Sequence, residues 1–174
     1  KASGTEPVER SERAAMKITI ITAFPELMKS YLGASVLGRG IAAGKLEAEV
    51  VDIRDYSEKQ YRQIDDYCYG GGGMTLMAEP LKKALEAASG AAKPFVVYPS
   101  PQGVHLHQEI VEELAAKEHI VIVCGHYEGI DERFTQEYVD MEISLGDFVL
   151  TGGEMPAMAI VDAVSRLIPG VVGS

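Results

Sequence analysis

The sequence predicts an α/β domain built on a largely parallel sheet. Two observations point there. Short β-branched runs alternate with stretches of helical apolar period. The most strand-like runs end in Gly- and Pro-bearing turns. No 20–50-residue repeat and no low-complexity linker divides the 174 residues, a length that suits one domain with one core.

Residues 1–15 carry Gly4, Pro7 and many charges without a hydrophobic period, and are expected to be an appended remnant or a disordered leader. The fold is expected to start at Met16 and to occupy 16–174. Ile18-Thr-Ile-Ile-Thr-Ala-Phe24 is a strand that stops at Pro25, a residue suited to a first helical turn. Helices are predicted around Glu26–Tyr31 and over Ser35–Ala43, the second closed by Gly44. Leu46–Ile53 is the next strand and the polar Asp55–Tyr69 a loop. Glu79–Ala88 puts Leu81, Ala84 and Leu85 on one helical face. Phe95–Tyr98 is a short buried strand, broken by Pro99-Ser-Pro-Gln-Gly103. Gln108–Lys117 is helical, with Ile110, Val111 and Leu114 inward. Ile120–Cys124 is the most strand-like run of all, and Gly125–Gly129 turns the chain. A short helix over Asp131–Glu137, a strand over Tyr138–Ser144 and a helix over Gly153–Leu167 follow.

Composition narrows the function classes. Apolar residues make up 47% and charged residues 24%, ordinary values for a globular domain. No apolar run is long enough to span a bilayer and no secretory signal is visible. Cys68 and Cys124 fit a reduced, cytoplasmic setting and show no metal-site spacing. His105 and His107 lack further ligands nearby, so no metal is assigned. A net charge of −10 argues against holding nucleic acid by bulk charge alone, which leaves a local basic patch or a basic partner domain.

Three Gly-bearing loops follow three predicted strands: Pro99–Gly103, Gly125–Arg133 and Leu145–Glu154. In open α/β sheets, ligands bind beyond the carboxyl ends of the strands. A glycine lets a flat ring lie against the backbone, whose N–H and C=O groups can read its edge. Any one loop could be an ordinary turn, but three together suggest one crevice. A fourth run, Tyr69-Gly-Gly-Gly-Gly-Met74, is neither a Walker A loop nor a dinucleotide fingerprint. It reads as a lid or RNA-facing loop, or as a plain flexible linker.

The run Gly146-Asp-Phe-Val-Leu-Thr-Gly-Gly-Glu154 resembles the hallmark of the bacterial tRNA (guanine-N1)-methyltransferase (TrmD) family, in the SPOUT superfamily. Cys124-Gly-His-Tyr-Glu-Gly-Ile-Asp-Glu-Arg133, Tyr98-Pro-Ser-Pro-Gln-Gly103 and Ile168-Pro-Gly-Val-Val-Gly173 resemble it too, as do Phe24-Pro25, Gly38-Arg39-Gly40 and Arg54-Asp55. The resemblance implies a parallel sheet flanked by helices with a deep C-terminal trefoil knot, assembled as a homodimer with each site at the subunit interface. It implies transfer of a methyl group from S-adenosylmethionine to N1 of the guanosine just 3′ of the tRNA anticodon.

Carried over residue by residue, the resemblance assigns the cofactor to Tyr98, Ser100, Pro101, Gln102, Gly103, Gly125, Tyr127 and Glu128. It adds Ser144, Leu145, Gly146, Asp147, Phe148, Val149, Leu150, Gly152, Gly153 and Pro156. Gly73 matches a glycine in the loop near the cofactor. Glu128 and Arg166 are the catalytic candidates. Guanine N1 must lose a proton, and a permanent cation suits the charge that moves onto O6. Arg166 could instead be a surface helix arginine, and Glu128 a helix-start carboxylate beside Asp131. His126 is given no general-base role. The resemblance also implies a linker, carrying the general base, and a second helical domain beyond Ser174. Without them the chain is expected to bind cofactor but transfer methyl groups weakly. The Gly70–Gly73 run is one residue shorter than usual, with Cys68 where proline is common. Two other readings are a SPOUT enzyme for another RNA and a cofactor-binding module without activity.

Overall fold

The computed structural model describes residues 14–67, 73–126 and 128–172. In chain order they form β1 (Met16–Thr22), α1 (Pro25–Leu32), α2 (Ser35–Ala42) and β2 (Leu46–Asp52). Two 3-10 turns follow (Ile53–Tyr56 and Gln60–Arg62), then β3 (Asp65–Tyr67), β4 (Met74–Leu76) and α3 (Ala78–Ala88). The rest is β5 (Phe95–His105), α4 (Gln108–Ala115), β6 (His119–Val123), α5 (Glu132–Tyr138), β7 (Met141–Ser144) and α6 (Glu154–Ser165). Five strands make one sheet in the order β2-β1-β6-β5-β7, every pair parallel. β3 and β4 form a separate antiparallel pair.

Alternation along the central strands sorts their side chains onto two faces. Ile18 and Ile20 of β1, with Ile120 and Ile122 of β6, pack with Met28, Leu114, Ile160 and Val164 from α1, α4 and α6. Ile21, Val121 and Val123 pack on the other face with Leu81, Ala84, Leu85 and Ala88 of α3 and Phe134 of α5. Strands covered on both faces read as continuous apolar runs, which is why Ile120–Val123 looks so strand-like. Among the described residues no helix is long and apolar enough to cross a membrane.

Four expectations need correction. The strand expected over Tyr138–Ser144 starts only at Met141, because Tyr138 is the last residue of α5. β5 does not end at Tyr98 but continues to His105. Its ladder with β7 pairs Pro99 with Ile143, then pairs Val104 with the same Ile143. Ser100–Gly103 is therefore expelled from the register, and a bulge tolerates residues that cannot donate to a ladder. The polar stretch 55–69 is not wholly loop, since Asp65–Tyr67 pairs with Met74–Leu76. Such a polar strand carries no period-2 signal. Ala23 and Phe24 lie beyond β1 because the Thr22 hydroxyl takes the Phe24 N–H at 2.9 Å and turns the chain. The sequence readings of residues 1–13, Cys68, Gly70, Gly71, Gly72, Tyr127 and Gly173 fall outside the described residues.

Candidate cofactor site

β5 leads through α4 to β6 on one side of it, and β6 leads back through α5 to β7 on the other side. Connections that part in this way leave a crevice at the carboxyl ends of the strands. A cavity of about 340 Å³ opens there, walled by all three loops. That volume falls at the small end of the range for small-molecule sites.

The first loop brings Tyr98, Ser100, Pro101 and Gln102 to the cavity, and the second brings Gly125 and Glu128. The third brings Ser144, Leu145, Phe148, Val149, Leu150, Gly152 and Gly153, and α6 adds Pro156. Gly103, Gly146 and Asp147 do not line it. Gly103 packs on the Glu142–Ile143 backbone instead, Gly146 is held by Ser144, and Asp147 lies out in solvent 3.2 Å from His105. Arg166 does not line it either: it is exposed at the far end of α6, ten residues and about 15 Å of helix beyond Pro156.

Local chemistry shapes each wall. Gly125 lies flat against the Tyr98 ring, and a Cβ there would sit 3.0 Å from Tyr98 Cε2. The Ser144 hydroxyl donates to the Gly146 carbonyl at 3.0 Å and folds the third loop back. That fold leaves Phe148 and Val149 exposed. The second loop is a tight turn, closed by the Gly129 N–H on the His126 carbonyl at 3.0 Å, with Gly129 at φ +116°. Glu128 rides on this turn and its N–H bonds the Met74 carbonyl at 3.0 Å. Its side chain abuts Gly73, whose φ is +105°. The helix-start carboxylate is Asp131, not Glu128. Asp131 caps α5 by accepting from the Arg133 N–H at 2.9 Å, and the Arg133 side chain holds its carboxyl below the usual range.

Sequence reasoning missed Glu132, Thr135 and Glu142, together with His126, Gly129 and Thr151. Glu132 and Thr135 lie three apart on α5, on one side of the helix, a signal available once Asp131 is read as its cap. Glu142 stands opposite Tyr98 in the β5–β7 register, which no local pattern reveals. Burial, with Glu142 second, raises the Tyr98 phenol above its ordinary value. The lining thus holds three carboxylates, Glu128, Glu132 and Glu142, and among the described residues no lysine or arginine. Such a wall favours a ligand that carries positive charge. Among the described residues no three or more His, Cys, Asp or Glu side chains are arranged to hold a metal ion.

The family model for tRNA (guanine-1)-methyltransferase TrmD matches residues 16–174. The chain belongs to the TrmD family. It is 50% identical over 162 residues to the tRNA (guanine-N(1)-)-methyltransferase of Ruminiclostridium cellulolyticum, covering 91% of this chain and 70% of the relative. It is 48% identical to that of Moorella thermoacetica, covering 91% of this chain and 65% of the relative. The crystal structure of the tRNA (m1G37) methyltransferase from Aquifex aeolicus superposes with a TM-score of 0.84 at 43% identity, over 92% of this chain and 73% of that one. The chain therefore spans about two thirds of the length of these curated relatives.

Proposed function

We propose that the three-loop cavity binds S-adenosylmethionine and that the chain serves methyl transfer to N1 of the guanosine just 3′ of the tRNA anticodon. The observation that carries this reading is the cavity itself, walled by the bulge within β5 and by the Gly-bearing loops that follow β6 and β7. Membership of the TrmD family supports the reaction class. The residues fit the donor. Gly125, Gly152 and Gly153 present backbone to the cavity, and the Glu128–Glu132–Glu142 wall suits a sulfonium.

Bound there, the cofactor supplies an electrophilic methyl group, and the protein's task is alignment and charge management. Glu128, whose N–H is held by the Met74 carbonyl, supplies an acidic group to the cavity wall. Arg166 is the cation for the charge developing on the guanine. Its place about 15 Å along α6 from the cavity supports an active site shared between two copies, with Arg166 supplied by the second. Exposed apolar side chains, Phe24, Leu27, Phe148, Val149 and Met155, suit such a homodimer. The deep C-terminal trefoil knot belongs to the same proposal. A cytoplasmic setting belongs to the same proposal.

Titration calorimetry with S-adenosylmethionine and S-adenosylhomocysteine tests the cofactor reading, and binding of neither ligand overturns it. Methyl incorporation into a panel of tRNA and rRNA transcripts tests the target. The expected product is N1-methylguanosine in tRNA with guanosine 3′ of the anticodon. Preference for an rRNA transcript would reassign the substrate.

A further inference from the structure

Glu154 is a carboxylate in an expensive place. It is 7% exposed, at the first residue of α6, and it does not line the cavity. Burying a carboxylate is unfavourable unless hydrogen bonds and nearby positive potential compensate. Both are supplied. The Thr22 hydroxyl, at the end of β1, donates to Glu154 Oε1 at 2.9 Å across 132 residues of sequence. Glu154 also stands in the first turn of α6, where the helix dipole favours negative charge.

The other carboxylate oxygen looks toward the cofactor walls. A Cβ built on Gly152 would lie 2.6 Å from Glu154 Oε2 and 3.0 Å from His126 Cδ2. Gly153, the next residue, donates to the Gly125 carbonyl at 2.9 Å, and His126 bridges to Gly152. The second and third loops are thus stitched together directly over Glu154. The same end of β1 reaches this junction a second way, because the Phe24 ring packs on the His126 ring with centroids 5.2 Å apart. Thr22 serves both contacts, since its hydroxyl also accepts the Phe24 N–H.

We propose that the Thr22–Glu154 pair is a brace that sets the position of Gly152 and Gly153, and so the affinity of the cavity for its cofactor. Glu154 is then a positioning residue. It touches neither cofactor nor substrate, and acts through the backbone wall in front of it. The brace rests on the reading that the cavity takes S-adenosylmethionine.

S-adenosylhomocysteine is the probe, titrated calorimetrically at a temperature well below each variant's unfolding midpoint. Thr22→Val is nearly isosteric and removes only the donor. It should weaken binding about tenfold, the scale expected when a buried hydrogen bond to a charged group is lost. Thr22→Ser keeps the hydroxyl and should stay within about twofold of wild type on the same grounds. Glu154→Ala should weaken binding at least as much as Thr22→Val, and adding Thr22→Val to it should cost little more, because paired residues are not additive. Lower melting temperatures with unchanged affinity would overturn the brace and leave a purely structural contact. If wild type binds no S-adenosylhomocysteine, the cofactor reading fails instead. Amide exchange at Gly152 and Gly153 then decides the brace without a ligand: faster exchange in Thr22→Val, but not in Thr22→Ser, supports it, and equal rates refute it.

Discussion

Gly152 shows how one residue can carry a site. The sequence marks it as a glycine that lets a ligand approach, but the structure adds what lies behind it. A side chain there meets Glu154 Oε2 and the His126 ring before it meets any ligand. Gly152→Val should therefore displace the wall as well as fill the cavity, and weaken S-adenosylhomocysteine binding by at least about tenfold, the scale of overpacking. Calorimetry checks this, and unchanged affinity in a folded variant would remove the third loop from the cofactor wall. Glu128 makes a complementary prediction. If its charge serves the chemistry, Glu128→Gln should lower single-turnover methyl transfer about a hundredfold, with a smaller effect on cofactor affinity. Equal loss in both would make it a binding residue. Glu128, Gly125 and Gly152 line the cavity, where the resemblance of their motif runs placed them. Glu142 was not legible in this way, because its place depends on pairing with Tyr98 across two strands.

Elements were legible where burial imposes a period and hidden where pairing alone defines them. The helical face of Leu81, Ala84 and Leu85 follows from one-sided burial, and the apolar run of β6 from burial on both faces. The β3–β4 pair and the continuation of β5 past its prolines do not, since neither rests on a hydrophobic repeat. The β5 bulge has a testable weak point at Gly103, where a Cβ would run into the Glu142–Ile143 backbone. Backbone cannot step aside as a flexible side chain can. Gly103→Ala should destabilise the fold by about 1–3 kcal/mol in urea titrations, the usual cost of forcing atoms into a packed site. An unchanged midpoint would mean that the bulge is pliable.

At the other end of the sheet, His119 opens β6 with its Nε2 2.8 Å from the Thr19 hydroxyl. Burial first and the charge of Lys17 second hold its imidazole below the ordinary value. The folded chain resists a proton that the unfolded chain accepts near pH 6.5. Stability from this group is thus complete above about pH 6.5 and declines as pH falls toward the depressed folded value. Urea midpoints measured from pH 7.5 down to 5 should fall less steeply in His119→Gln than in wild type. Parallel slopes would assign the pH response elsewhere.

The whole molecule poses a problem of reach. The three-loop cavity lies at one end of α6 and Arg166 at the other, so no small motion within one copy unites them. A second copy can, if a two-fold axis brings the far end of one α6 to the cavity of its partner. Two single variants separate the possibilities. Glu128→Gln disables the cavity that carries it, whereas Arg166→Ala disables the cavity that receives it. In a shared-site dimer, each pure variant has no intact site. A mixed dimer has one, formed by Glu128 of the Arg166→Ala chain and Arg166 of the Glu128→Gln chain. Random exchange between equal amounts makes half the dimers mixed, so methyl transfer should recover to about one quarter of the wild-type chain's rate. If Arg166 acted on its own copy's cavity, every mixed dimer would pair two defective sites and no activity would return. An affinity tag on one variant, with capture on that tag and detection of the untagged variant, shows whether exchange took place. Recovery without dimers, or mixed dimers without recovery, would each refute the shared site.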